Sequence, residues 1–468
     1  MSGKPILILQ MQRMGDLILS YPLMIWLARR YPGQRIFVAA EESFYKPLMK
    51  LSPQVSYVPW AGSHVLKEHE YELVINLSIQ EKAARLAHDV RAETKYGPIQ
   101  SPSGVRTVQG DWQLYRTSLV RNNLYNRYHW AELNALDVIP YKDIAETKFD
   151  VPRTLPAESN KVGVFIGASE EAKRPSAEWS ASFVTELLKR GLRPVLFGGP
   201  AEVELGKQVE QAAGIPLLNL CGRFGLDEFS AIGQTLALFI TPDTGPMHLA
   251  AWTGLKCLNL SMGNVSPWET GPYTPGHFVL RSNIWCAKGC WQCTRSRLYC
   301  HDSFNPKRIA ALVKRITAGD SVDKLSKLQL PDLDLSLSSK QDGLYHLQRL
   351  GDTGSDPEQR LSRFWQSFFG HRFGLWSLDK PHKAWESVAS TTEESAASIL
   401  THIPEITRQF THGLKTGYLH DDTFWSSSPA EVHPFTGYIH MMLENDNYEP
   451  HAWKTAMTHL EALISCCR

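Results

Sequence analysis

The sequence has no long apolar segment, no excess charge of either sign and no internal repeat. A membrane helix needs roughly 18 or more apolar residues, whereas the first apolar run is interrupted by Gln10, Arg13 and Asp16. The 49 Lys and Arg residues match the 48 Asp and Glu residues, so the basic excess typical of general nucleic-acid binders is lacking. We therefore expect a cytoplasmic globular protein with no signal peptide and no nucleic-acid partner.

Cysteine is too sparse for a disulfide scaffold, at eight residues among 468. Four of them, Cys286, Cys290, Cys293 and Cys300, lie in the segment CAKGCWQCTRSRLYCH. Cys290-x-x-Cys293 has the thiolate spacing of structural zinc sites. Because the second half of the segment lacks a matching pair, we favour a loop of free thiols, with a metal knuckle as the alternative.

Two successive stretches of the chain alternate short apolar runs with helix-like segments. This pattern predicts βαβ units and mostly parallel sheets, and a chain of this length accommodates two or three domains. We predict an α/β fold with two Rossmann-like doubly wound domains, residues 1–155 and 156–320, facing a cleft. The apolar runs predicted as strands are PILILQ, RIFVAA, VSYVPW, YELVINLS, KVGVFIGAS, RPVLFGG, ALFIT and KCLNLSMG.

Residues 321–468 differ in character from the preceding domains. A polar connector at about residues 319–340 leads into segments with helical periodicity and many aromatic residues. Such aromatic density supplies apolar surface for a core. We predict a mostly helical extension of unknown role that packs separately around its own core.

Two polar sites follow predicted strands at the cleft. Asp16 comes where the first strand gives way to a helix, so its carboxylate is a candidate general base; a helix-capping role is the alternative. Lys173 and Arg174 follow the strand KVGVFIGAS. A lysine there can hold a phosphate as a compact charge, and the alternative is a pair of solvated loop charges.

The most informative segment is FITPDTGPMHLAAWTG, in which a strand turns into a helix. The start of a helix is an anion site, because its first N–H groups lack intrahelical partners and the helix dipole is positive there. Asp243 can fix the turn, Gly245 permits close approach of a ligand, and Thr244 and His248 can donate to a phosphate. The alternative is a well-capped structural helix with a packed histidine.

These segments resemble glycosyltransferase family 9, the ADP-heptose:lipopolysaccharide heptosyltransferases. The resemblance covers about residues 5–314, and residues 321–468 lie outside it. It implies the two-domain GT-B fold, in which the second domain binds the ADP-heptose donor. It further implies a lipid-linked or glycan acceptor at the inner membrane surface, bound by the first domain, and no cofactor. The segments that carry it are ILILQMQRMGDLILSYPLMIWLARRYP, LVINLS, GAS…AKRPSAEW, FGGPAEVELG and TPDTGPMHLAAWTG.

The resemblance implies an inverting transferase in which Asp16 is the general base and Lys173 contacts the donor diphosphate. Two looser matches depend on spacing: Glu202 with the carboxylate that holds the ribose hydroxyls, and Phe224 with the residue whose backbone meets adenine. No metal is expected, because protein cations neutralise the leaving group. The residues that match the diphosphate cradle are Asp243, Thr244, Gly245 and His248.

Several alternatives stay open. Gln12 and Arg13 replace the small hydroxyl residues of the family, which leaves the sugar and acceptor undefined. A non-catalytic nucleotide-sugar-binding protein and another GT-B reaction, such as sugar epimerisation, are the rival functions. The presence of Asp16 with Lys173 favours the transferase, since a binder could lose Asp16 without consequence. Because a C-terminal helix of GT-B folds often crosses back onto the first domain, part of the connector at residues 319–340 could do so here.

Overall fold

A computed structural model of the chain describes residues 3–150, 153, 155–351, 356–417 and 428–468. Within this part of the chain, two sheets rich in parallel strands are each flanked by helices, and a helical region follows them. The predicted α/β architecture with a mostly helical C-terminal extension is therefore confirmed.

The first domain is built on a six-stranded sheet in the order 3-2-1-4-5-6, with only its last strand antiparallel to its neighbour. Its strands are β1 (Ile6–Leu9), β2 (Ile36–Ala40), β3 (Ser56–Pro59), β4 (Glu70–Asn76), β5 (Arg91–Gln100) and β6 (Arg106–Gln109). Its helices are α1 (Met14–Leu19), α2 (Tyr21–Arg30), α3 (Glu42–Tyr45), α4 (Glu81–Asp89), α5 (Asp111–Ser118), α6 (Trp130–Leu133) and α7 (Tyr141–Glu146).

The second domain has an eight-stranded sheet in the order 14-13-12-11-10-7-8-9. Its strands are β7 (Glu158–Phe165), β8 (Arg193–Phe197), β9 (Leu218–Asn219), β10 (Leu236–Pro242), β11 (Cys257–Ser261), β12 (Phe278–Ser282), β13 (Leu333–Gln341) and β14 (Leu344–Arg349). Its helices are α8 (Ala177–Lys189), α9 (Val203–Ala213), α10 (Leu226–Gly233), α11 (Gly245–Trp252), α12 (Pro267–Thr270), α13 (Tyr299–Asp302), α14 (Pro306–Thr317) and α15 (Val322–Ser326).

Strand order reverses at the centre of both sheets. β1 lies between β2 and β4, and β7 lies between β8 and β10. Each sheet thus has a topological switch point, where loops leave the carboxyl ends of neighbouring strands in opposite directions and open a crevice. β1, a continuous run of Ile and Leu with every residue buried, is the kind of strand expected at the centre of a parallel sheet.

The predicted polar connector at about residues 319–340 contains most of β13, and β14 follows directly after it. β13 pairs antiparallel with β12 and with β14, so the start of the extension completes the second sheet instead of linking two units. The sequence LDLSLSSKQ alternates apolar and polar residues along β13. That period of two is the pattern of a half-buried strand, and it explains why the segment is ordered although it is polar overall.

Five helices of the extension follow the sheet in the described part of the chain, and together they share a core with the first domain. Phe369 and Phe373 contact Tyr115 and Trp112 of α5, with ring centroids 4.7 and 4.9 Å apart respectively. One continuous core contains buried residues of the first domain and of the extension. The prediction of a separately packed extension is therefore wrong. The helices are α16 (Pro357–Arg372), α17 (Asp379–Thr391), α18 (Glu393–Thr416), α19 (His433–Asn445) and α20 (Pro450–Cys466).

The boundaries at residues 155/156 and 320/321 stay predictions, and part of the predicted interdomain linker, residues 151, 152 and 154, lies outside the described residues. Every helix that the structure describes is too short or too polar to cross a membrane.

Candidate active site

The two domains meet where α1 and α11 begin. α1 follows β1 and α11 follows β10, so both helices start at the carboxyl ends of central strands. A Cβ placed on Gly15 would lie 3.1 Å from Cδ2 of His248 and 3.7 Å from Cα of Gly245. The two helix starts are thus in close contact, and a side chain at Gly15 would force them apart. Both contribute the positive ends of their dipoles to one place.

His248 and Asp243 form the second-domain side of this contact. Nε2 of His248 lies 3.6 Å from Oδ1 of Asp243, and Nδ1 of His248 has no hydrogen-bond partner among the described residues. Burial lowers the pKa of His248 to about 4, against the opposing effect of Asp16. The imidazole is therefore neutral at pH 7 and keeps one N–H to donate.

The side chain of Asp243 is positioned by Thr270, the last residue of α12, which follows β11. Its Oδ2 accepts a hydrogen bond from Oγ1 of Thr270 at 2.6 Å. Burial raises the pKa of Asp243 to about 6, and the Thr270 hydrogen bond and the Lys173 charge oppose that rise. The predicted residues Asp243, Lys173 and His248 are thus brought into one electrostatic environment.

Asp16 is the third residue of α1 and is half-buried. Its Oδ2 accepts a hydrogen bond from the backbone N–H of Arg13 at 3.1 Å, so the capping role considered as an alternative is present. A carboxylate offers about four acceptor positions, which makes capping compatible with proton abstraction. The negative charge of Asp16 acts to raise the pKa of His248, so the two side chains interact electrostatically across the domain contact.

Lys173 lies in a short 3-10 turn after β7. Its Nζ donates to Oε1 of Glu170 at 2.8 Å, and Nη1 of Arg13 lies 3.4 Å from the same oxygen. Glu170 therefore bridges one cation from each domain, and its pKa is lowered chiefly by the hydrogen bond from Lys173. Arg174 pairs instead with Glu171 at 3.1 Å.

Glu202 and Phe224 complete the predicted donor-binding set. Oε2 of Glu202 accepts a hydrogen bond from the backbone N–H of Gly199 at 2.7 Å. A Cβ on Gly167 would lie 2.5 Å from Cδ of Glu202, so this side chain crosses the ends of β7 and β8. Phe224 is 40% exposed in the loop between β9 and α10. The predicted donor residues thus follow β7, β8, β9 and β10, four neighbouring strands of one sheet.

Two further charged residues, Arg116 and Glu269, interact electrostatically with residues of this contact, although no sequence motif identifies them. Arg116 of α5 has its pKa lowered by burial, while Asp16 and Glu269 both stabilise its charge. Burial raises the pKa of Glu269 to about 7; its Oε2 accepts from Asn123 Nδ2 at 3.1 Å, and its Oε1 is unpartnered among the described residues. Neither residue belongs to a recognisable motif, and only the tertiary fold brings Arg116 near Asp16 and Glu269 near Asp243.

The cysteine segment contains free thiols in the structure, as do the other four cysteines of the chain. Burial is the main cause that raises the pKa of Cys290. The neighbouring thiols of Cys293, Cys300 and Cys286 add to that rise. Among the residues that the structure describes, no group of three or more His, Cys, Asp or Glu side chains has an arrangement that could hold a metal ion.

Two doubly wound domains with strand-end residues converging between them have the GT-B architecture. The chain belongs to glycosyltransferase family 9 (heptosyltransferase), whose model matches residues 60–298, slightly more than half of its 468 residues. This membership confirms the family and the enzyme class that the sequence motifs predict.

The chain is similar to proteins of several bacteria. The chain is 23% identical over 269 residues to lipopolysaccharide heptosyltransferase 3 of Escherichia coli, covering 51% of this chain and 76% of that protein. It is 24% identical over 314 residues to lipooligosaccharide heptosyltransferase 2 of Haemophilus ducreyi, covering 59% and 88%. The solved structure of E. coli ADP-heptose lps heptosyltransferase II matches with a TM-score of 0.50 at 19% identity, covering 68% of this chain and 99% of that one.

Proposed function

We propose that the protein is an inverting glycosyltransferase that moves a heptose or related sugar from an ADP-sugar to a lipopolysaccharide-core or other glycan acceptor. Its relatives are named as lipopolysaccharide and lipooligosaccharide heptosyltransferases, which supports the sugar and the acceptor class. The observation that carries the proposal is the contact between the starts of α1 and α11. That contact supports the proposal because Asp16 follows Gly15 in α1, and Gly15 lies against His248 and Gly245 of the proposed diphosphate cradle.

The donor occupies the carboxyl ends of the second sheet in this proposal. Lys173 and the N–H groups at the start of α11 hold the diphosphate, Glu202 accepts from the ribose hydroxyls, and the backbone at Phe224 meets adenine. Asp243 and Thr244 shape the turn, and Gly245 lets the phosphate approach the backbone. Neutral His248 donates its N–H to a phosphate oxygen.

The chemistry is a single displacement at the anomeric carbon. The acceptor oxygen attacks from the face opposite the diphosphate and loses its proton to Asp16, while the bond between the sugar and the diphosphate breaks and the electron pair leaves with ADP. Lys173 and the α11 N–H groups stabilise the charge that grows on the leaving group, which is electrostatic preorganisation. Attack from the opposite face inverts the anomeric configuration.

We also propose that residues 1–155 bind the acceptor, that residues 156–320 bind the nucleotide sugar, and that the protein works in the cytoplasm beside the inner face of the membrane. Arg116 is a further candidate on the acceptor side, because it is a cation coupled to Asp16.

The test is a transfer assay with ADP-heptose and a heptose-deficient lipopolysaccharide acceptor, followed by mass spectrometry and by NMR of the new linkage. We expect a product heavier by one heptose with inverted anomeric configuration. Retained configuration would reject Asp16 as base in a single displacement. Tight donor binding without turnover would favour a nucleotide-sugar-binding protein, and a rearranged free nucleotide sugar would favour an epimerase.

A further inference from the structure

A cavity of about 390 Å³ lies between the second sheet, the first domain and the start of α16. We call it the extension cavity, because β13, β14 and α16 supply much of its wall. None of the proposed donor or base residues lines it. Its volume is in the range of small-molecule sites, about 300–1,000 Å³. The polar residues used in the argument below are Arg127, Lys288, Arg349, Asp334, Asp356 and Glu358.

Arg127 is a buried cation in this cavity, and no carboxylate of the described residues forms an ion pair with it. It is 4% exposed, and its guanidinium lies 4.5 Å from the ring centroid of Trp268. Its hydrogen bonds go to the carbonyls of Leu124 and Asn126 and, at 3.5 Å, to the amide oxygen of Gln359. Its Nε has no partner among the described residues.

A buried guanidinium without a direct counter-ion is costly, because buried charges are normally paired and fully hydrogen-bonded. Burial lowers the pKa of Arg127 to about 10, with Glu358 and Asp356 opposing. The group is therefore still charged at pH 7, and it has an unused N–H in a cavity that could admit an anion.

Each carboxylate that lines the cavity forms an ion pair with a cation other than Arg127. Arg349 binds Asp334 at 2.7 Å and Asp356 at 2.9 Å. Lys288 binds Glu358 at 2.8 Å. Two guanidinium groups remain without an ion pair among the described residues, Arg127 and Arg281. Arg281 donates to the carbonyls of Ser261, Gly263 and Ala287, whereas Arg127 keeps an unpartnered Nε, so the unsatisfied requirement of the cavity is for an oxyanion.

We propose that the extension cavity binds a small phosphorylated ligand, whose phosphate is held by Arg127 at the back and by Lys288 at the rim. Guanidinium binds phosphate through paired N–H donors, and lysine adds a compact charge. The remaining volume holds the body of the ligand against Trp268. Arg127, Lys288 and Trp268 lie within the family match, whereas β13, β14 and α16 lie outside it, so the extension encloses a site whose phosphate-binding residues belong to the family region.

The cavity adjoins the candidate active site through α12. Trp268 of this helix lines the cavity, and two residues later Thr270 holds Asp243. Asn123 also lines the cavity, and its amide donates to Glu269 on α12. A ligand in the cavity would therefore restrict the movement of α12, the helix that positions Asp243.

The test measures binding of inorganic phosphate and of glucose 6-phosphate to the full-length protein by isothermal titration calorimetry, with ADP titrated as a separate ligand. We expect saturable binding to the wild type that ADP does not displace. Arg127→Gln should weaken phosphate binding at least tenfold, the lower end for a lost charged hydrogen bond, and leave ADP affinity unchanged. Unchanged ADP affinity shows that this variant is folded.

Two variants at the rim of the cavity should change the affinity for phosphate in opposite directions. Lys288→Gln should weaken phosphate binding, whereas Glu358→Gln should strengthen it, because the freed Lys288 becomes available to the anion. A gain of affinity is not a result that misfolding can produce. Failure of both phosphates to bind, displacement by ADP, or equal binding by wild type and Arg127→Gln would overturn the proposal.

The phosphate could belong to a free metabolite or to a phosphorylated acceptor. Both sources use the same site, and two assays separate them: competition between glucose 6-phosphate and the acceptor in transfer indicates an acceptor phosphate, whereas an altered rate of donor hydrolysis without acceptor indicates a free effector. This assignment rests on the proposed transferase activity, but the calorimetric test does not, so the two can fail separately.

Discussion

The carboxylate of Glu170 accepts a hydrogen bond from Nζ of Lys173 at 2.8 Å, so the lysine that we assign to the donor diphosphate already has an anionic partner. The same carboxylate oxygen lies near Arg13 of the first domain. A diphosphate that binds Lys173 would compete with Glu170, and its arrival would break a link between the domains.

Removal of Glu170 should therefore strengthen binding of the nucleotide. We expect Glu170→Gln to bind ADP more tightly than the wild type, because Lys173 and Arg13 lose a competing carboxylate. Calorimetry with ADP and with adenosine measures the effect, which should be absent for adenosine. Glu171→Gln, whose side chain is 92% exposed, is the control. Weaker ADP binding by Glu170→Gln would show that Glu170 positions Lys173 instead of competing with the ligand.

The complementary variant removes the lysine. Lys173→Ala should weaken ADP binding by about 1.5–3 kcal/mol, the range for a hydrogen bond to a charged group. Binding of adenosine should change much less. Equal losses for ADP and adenosine would mean that Lys173 acts through the fold and not through the diphosphate.

The buried carboxylate of Glu269 predicts a pH-dependent stability effect. Its pKa is raised from 4.5 to about 7, so the folded protein favours the protonated form and loses stability as the pH rises through that range. Gln imitates the protonated acid. Glu269→Gln should therefore be more stable than the wild type at pH 8, by roughly 1–3 kcal/mol, and about equal to it at pH 4.5.

Denaturant unfolding at the two pH values measures this difference. Glu171→Gln again serves as the exposed control, with no expected change at either pH. If Glu269→Gln were destabilised equally at both pH values, the hydrogen bond from Asn123 would outweigh the cost of burying the charge.

The extension should be indispensable for folding, since it shares a core with the first domain. Truncation at residue 320 would expose Trp112 and Tyr115 and remove β13 and β14 from the second sheet. We expect the truncated chain to be insoluble. Phe369→Ala should cost about 3–5 kcal/mol in unfolding free energy, whereas Leu400→Ala, at a residue 46% exposed, should cost little. A soluble fragment of residues 1–320 that binds ADP would contradict this.

Sequence patterns predict the elements of this fold better than their contacts. The continuous apolar run of β1 and the strand-to-helix turn before α11 follow from local chemistry, and the structure confirms both. The aromatic residues of α16 indicate burial but do not specify against what, which is why the docking of the extension on α5 was not predictable. β13 has an alternation that predicts a strand, but its polarity favours a connector.

The residues of the candidate site also fall into two groups, those that sequence patterns predict and those that they do not. Asp16, Lys173 and His248 stand at strand ends, where parallel topology brings side chains to one edge, so their proximity could be expected from the sequence. Arg116 and Glu269 have no such signal, because the packing of α5 and α12 brings them to the site. Glu170 lies in the same strand-end loop as Lys173, but its proximity to Arg13 depends on the contact between the two domains.

In the proposed mechanism Asp16 acts on the acceptor hydroxyl and not on the donor, so its removal should slow transfer without weakening donor binding. For Asp16→Asn, the transfer rate at saturating substrates and the affinity for ADP-heptose are determined on the same preparation, with the exposed Asp89→Asn as control. We predict a rate lowered by roughly 10²–10⁴-fold, as for loss of a general base, with donor affinity unchanged. A near-normal rate, or a loss of donor affinity as large as the loss of rate, would contradict the account.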